Sequence, residues 1–363
     1  MITAKAYINL SALINNLRII KKQSSESKII AVVKANAYGH GVLNVAATIE
    51  DYVECFAVAR LEEALFLRKN NISKPILILG GLFNEEDLIQ IANNDFQIVL
   101  HSFELLKKIE NLNIVSPLKC WLKLDTGMHR LGVLPEEVNL FYDRIKKCRN
   151  IDKHLGLISH LCVADDCQYD AFTLNQISIF NNFKDKYPEL STALANSAAI
   201  FSYPSSHTEW VRPGITLYGV SPYTDKRAEE LGLKPVMTFK SKIIAIRKLS
   251  KGDKLGYGLA FESKTETYIG IIGVGYGDGY PRQAPNGTPI LINGRLVPSV
   301  GHVCMDMMFV DLGIDSQDKI GDEVTLWGKG LPIEVISQKV GTIPYELLLR
   351  LTNRVEMIYI AED

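Results

Sequence analysis

Between residues 28 and 220 the chain switches repeatedly between two hydrophobic rhythms, and this constrains the fold more than any other feature. The runs KIIAVVK, CFAVA, PILILG, FQIVL, CWLKLD, LGLISH and VRPGITLYGV read as buried strands, being short and rich in Val, Ile, Leu and aromatics. Between them, LEEALFLRKN, EEDLIQIANN, SFELLKKIEN and NQISIFNNFKDK repeat apolar residues at three and four, the spacing of one helix face. Strands alternating with helices pair in parallel through right-handed crossovers. Seven or eight such units favour a (β/α)8 TIM-type barrel, with an open doubly wound sheet as the alternative.

After about residue 233 the texture changes. MTFKSKIIAIRKL, YIGIIGV, PILING, RLVPSVGH, MMFVDL and DEVTLWG are short strands separated by Gly, Pro, Asp and Asn, and helical period returns only in IEVISQKV and YELLLRL. This predicts a second, mainly antiparallel β domain. Residues 1–233 are therefore assigned to the barrel and 234–363 to the β domain. No repeat or low-complexity linker intervenes, so the two are expected to pack tightly.

Composition serves mainly to exclude. A formal net charge of −1 gives no electrostatic reason to expect nucleic acid or an anionic membrane as partner. The basic run Arg144, Lys146, Lys147 and Arg149 reads as a solvated helix face. Cys55, Cys120, Cys148, Cys162, Cys167 and Cys304 form no CxxC pair and match neither a zinc site nor a disulfide framework, so they are expected to be reduced thiols with no metal. MITAKAYINL lacks the apolar core of a secretory signal, and no run is long enough to span a bilayer. A cytoplasmic, enzyme-sized globular protein is expected.

Four clusters carry chemistry. Lys34 closes the apolar run AVVK and precedes ANAYGHG. Barrel strands end at the reactive face, and a desolvated lysine there is nucleophilic, suited to a Schiff base with an aldehyde. A lysine snorkelling at a strand edge is the alternative. Gly39 and Gly41 would let other groups approach it closely, and Tyr38 lies four residues on. In the second cluster, Ser197 and Gly214 flank Arg212 at strand and helix ends, where hydroxyls and free amides bind phosphate, although an N-cap serine and a turn glycine are commoner. The third, KLDTGMHRLGV, holds Lys123, Asp125 and Arg130, equally readable as a salt-bridged turn. The fourth, SVGHVCMDMMFVD, offers Cys304 and Asp306, equally a core thiol and a turn acid. GVGYGDGY does not fit GxGxxG in any register, which argues against a dinucleotide.

Together these segments closely resemble the alanine racemase family. AVVKANAYGHG looks like its cofactor-lysine motif. KLDTGMHRLGV, ISHLCVADD, ANSAA, VRPGITLYG, LGYGLAF, VGYGDGYPR and VGHVCMDMMFVD match further family segments in order, over essentially the whole chain. The resemblance implies a barrel with a C-terminal β domain, pyridoxal 5'-phosphate as cofactor and a head-to-tail homodimer. It further implies racemisation of alanine, supplying D-alanine for peptidoglycan synthesis.

Carried over by motif, Lys34 resembles the lysine that holds the cofactor, and Tyr257 the second base, contributed by the partner subunit. Tyr38, Ser197, Gly214 and Ile215 look like phosphate contacts. Arg212 looks like the partner of the pyridine nitrogen, and His160 like the residue against the ring. Arg130 and the amide of Met305 resemble the substrate-carboxylate site, and Lys123 the lysine carbamylated in many members. Tyr257, Tyr276 and Met305 are expected to narrow the pocket toward alanine. One position departs: the family often has a tyrosine just before the C-terminal Arg-Val, where this chain has Asn353. The rivals are a serine or broad-specificity racemase of the same fold, a related decarboxylase, and a non-catalytic pyridoxal-phosphate carrier. Arg212 argues against the decarboxylase, which would normally place an acid there. The β domain argues against the carrier.

Overall fold

The computed structural model describes residues 4–362, so the first three residues of the MITAKAYINL stretch lie outside the described residues. The strands are β1 (Lys5–Asn9), β2 (Lys28–Val32), β3 (Cys55–Val58), β4 (Ile76–Ile78), β5 (Gln97–Leu100), β6 (Lys119–Lys123), β7 (Gly156–Ile158), β8 (Ser191–Asn196) and β9 (Trp210–Arg212). They continue with β10 (Met237–Leu249), β11 (Lys254–Leu255), β12 (Phe261–Glu262), β13 (Thr267–Ile272), β14 (Pro289–Ile292), β15 (Arg295–Val300), β16 (Met308–Gly313), β17 (Glu323–Trp327) and β18 (Glu356–Ile360).

Strands β2 to β9 pair in parallel, each with the next, and close where Lys28 and Ile29 meet Trp210 and Val211. This is the eight-stranded barrel expected from the alternation. Its strands are buried on both faces, as the unbroken CFAV, ILI and GLI runs require. Helix Val138–Lys147 carries part of the basic run; its Arg144 pairs with Glu110 at 2.6 Å, while Lys146 and Lys147 face solvent.

Eight of the remaining strands form a sheet in the order β13-β16-β15-β14-β17-β10-β1-β18, with β10 also paired to β13, while β11 and β12 make a separate antiparallel pair. All pairings of the eight-stranded sheet are antiparallel except β1 with β18. Strand β1 corrects the assignment of residues 1–233 to the barrel. Lys5–Asn9 lies between β10 and β18, in the sheet of the second unit. Hydrophobic rhythm marks a strand but says nothing of a partner more than two hundred residues away.

A second correction concerns VRPGITLYGV, read as one strand. The strand ends at Arg212, because Pro213 has no N–H to donate, and Ile215–Tyr218 form a 3-10 turn instead. Among the described residues the cysteines are free thiols, and no helix is long and apolar enough to cross a membrane.

Candidate active site

The residues after the barrel strands line one cavity of about 410 Å³. It gathers Lys34, Tyr38, Lys123, Arg130, His160, Ser197, Arg212, Gly214 and Ile215 from the ends of β2, β6, β7, β8 and β9. Tyr257 and Met305 lie elsewhere, on loops of the β unit, 73% and 53% exposed. One chain therefore brings together only the barrel half of the expected set.

Lys34 opens a turn of unusual hand. Ala35, Asn36, Ala37 and Tyr38 all have φ between 52° and 54°, a left-handed helical turn without glycine. Such residues each cost about 1–2 kcal/mol relative to the right-handed form, so the surroundings must hold them. Three contacts do so. The Ala35 N–H donates to Glu63 Oε1 at 2.6 Å. His40 Nδ1 lies 3.0 and 2.9 Å from the carbonyl oxygens of Ala37 and Tyr38. Behind the turn, Gly39 and Gly41 sit so close to the β unit that a Cβ would fall 2.3 Å from the Leu348 carbonyl oxygen and 1.9 Å from the Tyr359 hydroxyl. The turn also stacks rings: Tyr38 on Tyr218 at 4.9 Å, and His40 on Tyr218 at 4.6 Å.

Four basic groups, Lys34, Lys123, Arg130 and Arg212, crowd the mouth, and the neutral forms of the titratable ones gain. Burial lowers the Lys34 amine below the ordinary lysine range, Arg130 lowers it further, and Glu63 opposes both. Burial, then Arg212 and Arg130, push Lys123 well down, with Asp125 opposing. Burial and the same cations keep the His160 imidazole neutral. Arg212 is pushed down to about 10 by burial, still protonated at neutral pH. Its Nη1 donates to Ala193 O at 2.7 Å, and its Nη2 to Ser159 O at 2.5 Å and Leu194 O at 3.2 Å. Arginine has five N–H donors, so donors remain for a ligand.

The opposite wall is built for an anion. Ser197 begins the helix Ser197–Ser202, and its Oγ accepts the Gly214 N–H at 2.8 Å and the Thr216 hydroxyl at 3.1 Å. A Cβ on Gly214 would lie 2.7 Å from the Tyr38 hydroxyl, so only glycine leaves this corner open. Ile215 starts a 3-10 turn, where the first amides have no acceptor within the turn. Hydroxyls, a glycine corner and turn amides suit a phosphate; a protonated arginine suits a ring nitrogen; a low-pKa lysine suits an aldehyde. The residues present thus fit pyridoxal 5'-phosphate.

The N-terminal domain model of alanine racemase matches residues 8–222, and the C-terminal domain model matches residues 236–359. The chain belongs to the alanine racemase family. An alanine racemase of Haemophilus influenzae is 53% identical over 358 residues, covering 98% of both chains. One of Aeromonas hydrophila is 48% identical, covering 99% of this chain and all of its own. Among solved structures, the biosynthetic alanine racemase of Pseudomonas aeruginosa superposes with a TM-score of 0.94 at 38% identity, over 99% of this chain and 100% of that one. The Acinetobacter baumannii alanine racemase gives 0.93 at 36%, with the same coverage.

Several residues of this racemase-family site were not singled out from sequence. Thr216 shares the Ser197 hydroxyl, and a hydroxyl two residues beyond a turn glycine was its available signal. Glu63, acidic in the first turn of helix Leu61–Lys69, marks a helix start but not its bond to Ala35. Beneath His160 lies a buried polar chain. Gln176 Nε2 donates to Thr126 Oγ1 at 3.0 Å and to His160 O at 3.2 Å, and Thr126 Oγ1 lies 3.0 Å from Ser159 Oγ. Nothing local in the sequence foretells that convergence.

Proposed function

We propose that the chain interconverts L- and D-alanine with pyridoxal 5'-phosphate in the barrel mouth, as a homodimer in which each β unit completes the neighbouring site. The observation that carries this reading is Lys34 and a protonated Arg212 lining one cavity together with the Ser197 and Tyr38 hydroxyls and Gly214. When bound, the cofactor supplies delocalisation for the electron pair left as the α-proton departs. The chain supplies the rest.

Ser197, Tyr38, Gly214 and Ile215 would hold the phosphate, and His160, kept neutral, would lie against the ring. Lys34, neutral over a wider pH range than a solvated lysine, would hold the cofactor and, once its amine is free again, moves the α-proton on one face. Tyr257 of the second subunit moves it on the other. Arg212 would donate to the ring nitrogen and keep its own proton, which would leave a weaker electron sink than an acid in that place and favour return of the proton to the α-carbon. Arg130 and the Met305 amide of the second subunit hold the substrate carboxylate. Lys123, held neutral beside two arginines, has the free amine that carbamylation needs, and a carbamate there would anchor Arg130. Tyr257, Tyr276 and Met305 limit the side chain to a methyl group. We assign the D-alanine formed to peptidoglycan supply in the cytoplasm.

The test is chiral chromatography of L-alanine, L-serine and L-lysine, each incubated with cofactor-loaded protein. D-alanine is expected to approach parity while the others lag. Equal turnover of lysine would overturn the size limit, and no inversion of any substrate would overturn the racemase reading.

A further inference from the structure

Three separate segments of the β unit meet at the Arg354 guanidinium. Its Nε lies 3.2 Å from Asp278 Oδ1, and its Nη2 lies 2.8 Å from Asp306 Oδ1. Asp278 is buried and closes the turn that carries Tyr276, accepting the Gly275 N–H at 2.9 Å. Asp306 directly follows Met305. Further bonds stitch the three segments together. Tyr276 N–H donates to Cys304 O at 3.0 Å, Gly277 N–H to Met305 O at 2.8 Å, and the Thr352 hydroxyl to Gly277 O at 2.8 Å. Arg354 passes so near the turn that a Cβ on Gly277 would lie 2.4 Å from its Nη1.

The geometry has a directional consequence. In a trans peptide the C=O and the following N–H point opposite ways. With Cys304 O held by Tyr276, the Met305 N–H is aimed away from the Tyr276 turn. Its aim therefore depends on how the two loops sit against each other, and Arg354 is the charged group bonded to both.

We propose that Arg354 is a positioning residue for the second subunit's site, fixing the Tyr276 turn and the Met305 amide relative to each other by bridging Asp278 and Asp306. The inference rests on the reading above that Met305 and Tyr257 act in trans. Arg354 touches no substrate. A lysine in its place keeps the charge but not the fork that spans two carboxylates.

The test uses tagged heterodimers of the cofactor-loaded enzyme. In the first, one chain carries Lys34→Ala and the other Arg354→Gln, so the single competent barrel receives its loops from a chain with Arg354 intact. In the second, one chain carries both changes and its partner is wild type, so the competent barrel receives the altered loops. Wild-type kcat/KM per competent site is expected in the first. In the second, a loss of about tenfold is expected, carried mostly by KM for alanine, since a carboxylate contact is loosened. Arg354→Lys in the same pair should give a smaller loss, and it serves if the glutamine variant folds poorly. Equal activity in both heterodimers, or a loss only in the first, overturns the proposal. Tyr257→Phe in the same two arrangements separates the causes. If it acts in trans and Arg354 does not, only the Arg354 inference falls; if Tyr257 acts in cis, the shared-site reading falls with it.

Discussion

The barrel mouth and the β-unit loops hold their functional groups in opposite ways. Arg212 is buried and tied to three backbone carbonyls, and Lys34 sits on a turn clamped by Glu63, His40 and the β unit. Tyr257, by contrast, occupies an exposed 3-10 turn between β11 and β12, and Met305 is about half exposed. The barrel half is organised within one chain. The loop half presents large apolar side chains to solvent, an arrangement that makes physical sense when another surface covers them. On the proposed shared-site reading, the division separates chemistry that is fixed within one chain from chemistry that depends on assembly.

The sharpest way to break this comparison is to remove one group from each half. Lys34→Ala should lose both cofactor attachment and one proton transfer, lowering racemisation about 10⁴-fold or more, together with the absorbance of the attached cofactor. Tyr257→Phe should cost about 10³-fold in racemisation yet leave the cofactor attached. It should also still exchange the α-proton of one enantiomer with deuterated solvent, because Lys34 remains. Loss of exchange for both enantiomers in Tyr257→Phe would contradict the division of labour.

A smaller effect probes the electronics of the barrel half. Arg212→Glu should raise transamination relative to racemisation, read as keto acid formed per inversion, because a carboxylate favours a protonated ring nitrogen and a stronger sink. An unchanged ratio would remove Arg212 from the account of specificity. The same substitution should destabilise the barrel by about 3–5 kcal/mol, since a buried carboxylate would face the Ser159, Ala193 and Leu194 carbonyls.

The smallest effect concerns the clamp on the lysine turn. His40 is fully buried, and burial pushes it down to about 4 from the ordinary 6.5. Above pH 6.5 the imidazole is neutral in both folded and unfolded chains, and its contribution is complete. As pH falls toward 4 the unfolded chain takes the proton first, so roughly 3 kcal/mol of stability should be lost across that window. Denaturant titrations at pH 7 and pH 4.5 should show a shallower loss for His40→Phe than for wild type. An identical loss would assign the acid sensitivity to other groups.

Much of the site was legible because its residues follow strand ends that hydrophobic rhythm marks well. Lys34, Ser197 and Arg212 each sit within two residues of such an end. Gly39 and Gly41 were legible as points of close approach, and Leu348 and Tyr359 do press on them. The left-handed turn just before them was not, since Ala35 to Tyr38 contain no glycine and their conformation is imposed by distant contacts. The place of β1 was hidden for a related reason. A five-residue strand carries a pattern but no address, and its partners lie at the far end of the chain. His40, Glu63 and Thr216 likewise act through hydrogen bonds that only the folded arrangement creates.

The seat of β1 between β10 and β18 has a consequence for how the molecule is made. During synthesis the first strand leaves the ribosome long before either neighbour exists, whereas β2 to β9 can close as soon as residue 212 is clear. The barrel can therefore form while Lys5–Asn9 trails unpaired, an exposed edge awaiting the last residues of the chain. Truncation near residue 356 would leave that strand without its parallel neighbour. The stretches that follow β1 and β18 meet, Asn9 Nδ2 donating to Glu362 O at 3.0 Å, so a permuted chain in which β18 is linked to β1 and a surface loop is opened would let the two strands emerge together.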